Sequence, residues 1–430
     1  MADIIDTEEE DRDIVGPEEI EQLFSKKYNL LTETAVSLKK SYINKLATTK
    51  SLKIAVSLVD NSIEVYQLTN TSLNKVCKLS GHKKELTDVV FLHKEEHLLH
   101  SCGQDGLVKL WDTRTSGSCV QDYKDEEEQI VRPYLCMDIS CNSRVLCAGS
   151  QTVQNDAYLV FWDQRVTKPL GGYWNSHTDD ITQVKFHKKK PSILASGADD
   201  GLLNIFNIME ANEDDALTYS LNVENSIEKI TWLSDTQASC VTQSSDLQVW
   251  DTERGDLIRS YDRDKISRTI KRSRGDDCYL VDAHRSRDGE CVMLAGSHAG
   301  TGSVLRSVTA TSKKLQPTTN FVGNKQVVRC CSYNAERDIL VTAGESGLIS
   351  LWTTSGEGEG DGEGEGRDHN GLGHKLAGSI KKMRTSVALR NYFPFSISVE
   401  SFLDRQRVLP HEQEDAARAQ QEPPLERGPK

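Results

Sequence analysis

The chain has no run approaching the roughly eighteen consecutive apolar residues that a membrane-spanning helix needs. Its first thirty residues hold ten acidic and three basic side chains, a pattern that excludes a cleaved secretory leader. Among its eleven cysteines, Cys77 to Cys331, there is no CxxC pair, and most sit in apolar runs such as VLCAG and VRCCSY. They read as small buried hydrophobes in a reducing compartment, so the expected location is intracellular, in cytoplasm or nucleus. Nucleophile elbow, HExxH, P-loop and dinucleotide fingerprint are all missing. No catalytic residue, cofactor, metal or small-molecule substrate is therefore expected.

A broad basic surface is also missing. Of the net charge of −13, about −7 lies in residues 1–30 and −5 in residues 357–365, while residues 367–430 carry about +3. The body is nearly neutral, which argues against a nucleic-acid partner. At 37% hydrophobic and 27% charged, the 430 residues can still bury a large core.

What is present is a repeat. GHKKELTDVVF and LLHSCGQDGLVKLWDTR match SHTDDITQVKF and ILASGADDGLLNIFNI, so that His82, Ser101, Asp105 and Trp111 recur 95 positions later as His177, Ser196, Asp200 and Phe206. Strand endings of the same type stand at Tyr66, Trp111, Trp162, Phe206, Trp250, Leu305 and Trp352, at spacings of 45, 51, 44, 44, 55 and 47. Seven units of this size, with short alternating strands and Gly, Asp or Asn turns, predict an all-β, seven-bladed WD40 propeller.

The recurring polar residues have a structural reason. A blade hides both faces against its neighbours, so any polar group buried there needs a partner. In the expected network a turn Asp accepts from a His, which donates onward through a Ser to the Trp of the third strand. Blades two and four carry this set, with Phe206 replacing the Trp. Blades one, five and six lack the His, and blade seven offers Thr342 and Trp352 but has Ser346 in place of the Asp.

The ends of the chain follow from the ring. YNLLTETAVSL, from Tyr28 to Leu38, is expected to complete the last blade and hide two sheet edges. Before it, Pro17, Glu18 and Glu19, with Ile20, Leu23 and Phe24 on one face, predict a short amphipathic helix. The division is then an acidic segment over 1–27, a propeller over 28–353 and a disordered Gly/Glu-rich tail over 354–430.

DAYLVFWDQR, SHTDDITQVKFH, SGADDGLLNIFNI and the leading EEIEQLFSKKYNL resemble the WD-repeat-containing protein 89 family, over roughly Gly16 to Trp352. The resemblance implies a seven-bladed propeller and sharpens the fold more than the job; with no catalytic motif present, a scaffold that binds other proteins through its blade edges and rims is expected. LLHSCGQDGLVKLWDTR also resembles the box of WD-repeat substrate receptors that dock on the adaptor of cullin-4 ubiquitin ligases. That likeness implies a contact role for Arg114 and Arg165, which end two consecutive WDxR sequences, with the helix over Ile20–Phe24 as a second anchor. Against it stands the simpler expectation that each Arg only pairs with a neighbouring Asp. His93, His97 and His100 suggest no metal, because they lie between and along strands whose period of two separates them.

Overall fold

The structure, a computed structural model, describes residues 10–38, 41–115, 117–125, 131–210, 212–311 and 314–354. The tail expected beyond Thr353 falls, from residue 355 on, outside the described residues. Among the described residues, twenty-eight strands form seven antiparallel four-stranded sheets, the seven blades of a propeller. Each blade runs outward from its first strand. Blade two, for example, comprises Leu86–Phe91, Leu98–Gly103, Val108–Asp112 and Cys119–Tyr123.

The burial of each strand follows from its place. The third strand Val108–Asp112 is enclosed by both neighbouring blades and is buried at every residue. The outermost strand Cys119–Tyr123 alternates partly buried with exposed residues until Tyr123, as a strand with one wet face should. The core is seven apolar clusters, one in each gap between blades. One joins Val65 of blade one to Leu99 and Trp111 of blade two, and another joins Ile54 of blade one to Val341 of blade seven, which closes the ring.

Closure uses the start of the chain. Asn29–Ala35 pairs antiparallel with Leu348–Thr353 as the fourth strand of blade seven, from Asn29 against Thr353 to Ala35 against Leu348. This lies inside the segment expected from sequence, and Tyr28 secures it by donating to Asp338 Oδ1 at 2.7 Å. The helix forms over Pro17–Leu23 with Pro17 in its first turn. Ile20 and Phe24 are buried, and the Arg306 guanidinium lies 5.2 Å from the Phe24 ring centre. The Lys26 amide then donates to Thr318 O, on the outer strand of blade six.

Blade six corrects the spacing read from sequence. Its third strand is Leu305–Ala310, and Val308, paired with Met293 and lying just after the register shift against the outer strand, occupies the place that Trp111, paired with Leu99, holds in blade two. Leu305 begins this strand instead of ending it. With no aromatic to mark the position, and a glycine turn at Gly300 and Gly302 with φ of 61° and 67° lengthening the preceding loop, the position expected at Leu305 lies three residues on, at Val308.

All eleven cysteines are free thiols. No helix among the described residues is long and apolar enough to cross a membrane.

Candidate functional site

In blade two the four residues of the repeat meet. Trp111 Nε1 donates to Ser101 Oγ at 2.8 Å, Ser101 Oγ lies 2.7 Å from His82 Nε2, and His82 Nδ1 lies 3.0 Å from Asp105 Oδ1. An indole nitrogen can only donate and a carboxylate only accept. The chain therefore runs from Trp through Ser and His to Asp, opposite to the direction expected between His and Trp. Asp105 also accepts from the amides of Lys83 and Leu107. Burial alone would raise its pKa, but the His82 bond and these amides more than offset that and hold the carboxyl below its ordinary range.

Blade four repeats the geometry, with His177 Nδ1 3.0 Å from Asp200 Oδ2 and Nε2 2.7 Å from Ser196 Oγ. Phe206 has no donor, and Asn204 Nδ2 reaches His177 Nε2 at 3.3 Å. In blade seven Trp352 Nε1 donates to Thr342 Oγ1 at 2.9 Å. Gln326, unremarked in the sequence, does part of the missing work: its Oε1 accepts from the amides of Ser346 and Leu348. Blade three has Ala148 as the fourth residue of its second strand, where blade two has Ser101. The buried Trp162 Nε1 accordingly has no partner among the described residues.

The blade-two network holds the third strand that leads into Arg114, whereas the third strand that leads into Arg165, in blade three, has no such network. Arg114 Nε and Nη2 donate to Asp112 Oδ1 and Oδ2 at 3.0 and 2.6 Å, and Arg165 Nε and Nη2 donate to Asp163 Oδ1 and Oδ2 at 2.8 and 2.6 Å. Each Arg thus pairs with the Asp two residues before it. The Arg114 fork, followed by burial that opposes it, pulls Asp112 down to about 2. Pairing does not hide the cations, since the two side chains are 65% and 66% exposed. Both follow the third strand of consecutive blades, so both stand on one rim, and Val166 beside Arg165 is also exposed. In the helix over Pro17–Leu23 and its cap, Ile20 and Phe24 are buried, Phe24 beneath Arg306 of blade six.

His93, His97 and His100 face different partners. His93 Nε2 lies 3.3 Å from Ile139 O, His97 Nε2 lies 3.8 Å from Glu95, and His100 is buried in strand Leu98–Gly103 against the Tyr123 ring.

Sequence reasoning could not see the central channel, because its lining comes from different blades. Lys45, Asp88, Asp138, Lys185, Lys229 and Asp282, all on innermost strands, share a cavity of about 290 Å³. Over blades one to six they run Lys, Asp, Asp, Lys, Lys, Asp, so that each has at least one neighbour of opposite sign. Burial raises the Asp138 and Asp282 carboxyls above their ordinary range, opposed by Lys185 and Lys229 respectively.

The repeat profile of the WD domain, G-beta repeat family matches residues 73–112, 168–207 and 315–353. Each match begins on the outer strand of one blade and ends on the third strand of the next, and together they cover the third strands of blades two, four and seven. The chain thus carries WD40 repeats on a seven-bladed β-propeller. The resemblance to the protein 89 family is borne out by the WD repeat-containing protein 89 homolog of Dictyostelium discoideum, 26% identical over 78% of this chain and 90% of that protein. The WD repeat-containing protein GTS1 of Arabidopsis thaliana is 30% identical over 58% of this chain and 62% of its own length. An uncharacterized WD repeat-containing protein of Schizosaccharomyces pombe is 24% identical over 59% of this chain and 78% of its own length.

Proposed function

We propose that the protein is a non-enzymatic intracellular scaffold that binds other proteins through its rims, with Arg114 and Arg165 as contacts. The observation that carries this reading is that two exposed guanidinium groups on consecutive blades are held in the same pose by Asp112 and Asp163. A fixed planar fork loses little freedom on meeting a carboxylate or carbonyl surface, which suits it to recognition. The channel charges fit a structural lining, since three lysines stand against three aspartates on neighbouring blades. Affinity purification of the full chain should recover protein partners near stoichiometry; recovery at background under several lysis conditions would count against the scaffold.

The same paired WDxR geometry favours a more specific reading, a substrate receptor docking on the cullin-4 ligase adaptor. Purified adaptor should then bind the wild-type chain and lose affinity for the variant carrying Arg114→Ala and Arg165→Ala. Absence of binding to wild type would remove this reading and leave the scaffold standing.

A further inference from the structure

The acidic stretch before the helix occupies a pocket built for it. Asp11 is fully buried and accepts from Arg272 Nε at 2.8 Å, Ser273 Oγ at 3.1 Å, the Arg274 amide at 3.0 Å and Ser297 Oγ at 2.5 Å. Asp13 accepts from Arg306 Nη1 and Nη2 at 2.6 and 2.9 Å and from Arg272 Nη1 at 3.1 Å. Between them the backbone adds a short antiparallel bridge: Ser273 N donates to Arg12 O, and Ile14 N donates to Lys271 O.

Arg306 has its partner outside its blade. It stands two residues before Val308, where the register shift against the outer strand marks the place of Trp111. Of the residues at this level in the other six blades, Glu64, Lys109, Val160, Asn204, Gln248 and Ser350, two are charged, and each of those is paired on the outer strand of its own blade, Glu64 with Lys75 and Lys109 with Asp122. On the outer strand of blade six Arg306 meets the neutral Asn320, at 3.3 Å, and its carboxylate comes from the arm. Among the described residues the carboxylates paired with Arg272 and Arg306 belong to the arm alone.

The arm is bound in a way that permits exchange. Its contacts are polar, Ile14 is 52% exposed, and the hydrophobic anchors Ile20 and Phe24 lie beyond it. Releasing residues 11–14 would leave the helix seated. The basic side is also larger than what the arm covers, because Lys265, Arg268 and Lys271 line an adjoining open cavity of about 490 Å³.

We infer that Arg272, Arg306, Ser273 and Ser297 form a recognition site for an acidic protein segment of the Asp-x-Asp type, closed in cis by Asp11-Arg12-Asp13. A partner carrying such a segment gains access when the arm leaves, and the tethered arm, acting at an effective concentration on the order of millimolar, sets the threshold it must exceed. This site lies on blade six and does not depend on the reading of Arg114 and Arg165.

The test uses the full chain and a labelled synthetic peptide of residues 5–16. The variant with Asp11→Asn and Asp13→Asn should bind the peptide at least about tenfold more tightly than wild type, and the affinity should fall with salt. Arg306→Leu, which puts an aliphatic side chain where blade three carries Val160, should stay folded and bind the peptide no better than wild type. A double-Asn variant that binds no better than wild type, or an Arg306→Leu chain that binds as well as the double-Asn variant, overturns the inference. Should the double-Asn variant fail to fold, hydrogen exchange on wild type decides: millimolar peptide should speed exchange of the Ile14 amide and leave the blade-six strands unchanged. An Ile14 amide indifferent to peptide makes the arm a fixed part of the fold and overturns the inference equally.

Discussion

Trp111 Nε1 and Ser101 Oγ, 2.8 Å apart inside blade two, start a chain of hydrogen bonds that ends on Asp105 at the turn. Asp105→Ala removes the acceptor for His82 and for two amides together. It should lower the free energy of unfolding by about 1–3 kcal/mol. Ser346→Ala should cost much less, because Ser346 contributes its backbone amide, to Gln326, and keeps it. Urea unfolding of both variants measures the difference; equal effects would mean that the His82 network is not a stabilising unit.

Blade three offers the converse experiment. Ala148 stands where a hydroxyl would receive the indole N–H of Trp162, which has no partner among the described residues. Ala148→Ser adds one oxygen at that level of the strand and should raise stability by about 1 kcal/mol. A loss of stability on the same urea assay would show that this site does not orient the hydroxyl toward the indole.

The arm makes stability depend on acid. Burial pushes Asp11 and Asp13 upward, but the bonds from Ser297, Arg274 and Arg272 to Asp11 and from Arg306 and Arg272 to Asp13 outweigh it, so both carboxyls lie below 3.8 when folded. A depressed carboxylate stabilises fully above its unfolded pKa and loses that contribution as pH falls through the folded value. The gap in Tm between wild type and the double-Asn variant should be full at pH 7 and hold to about pH 4–5, shrinking below. A gap that instead grew as the pH fell would contradict the geometry around Asp11 and Asp13.

Much of this was legible in the sequence, and the reason is chemical. A buried Asp, His and Ser must recur together to satisfy one another, so His82, Ser101 and Asp105 announced themselves 95 residues later as His177, Ser196 and Asp200. The closing strand was legible because a ring leaves two edges to hide. Blade six was not, since Val308 carries no aromatic signature and only strand register reveals its place. Arg306 reads in sequence as an ordinary surface cation, because its partner Asp13 stands 293 residues away on the arm. The channel lysines and aspartates were hidden because six blades supply one each, and Gln326 because it answers Ser346 through backbone amides.

The claim that matters most for function is that Arg114 and Arg165 act as a pair on one rim. It is tested most directly by affinity purification of the full chain, wild type against Arg114→Ala with Arg165→Ala, with captured proteins quantified and Tm measured on the same preparations. Both arginines are exposed and pair only with a neighbouring Asp, so Tm should be unchanged within error. At least one protein abundant with wild type should fall to background with the double variant. An identical set of captured proteins at equal Tm would contradict the account.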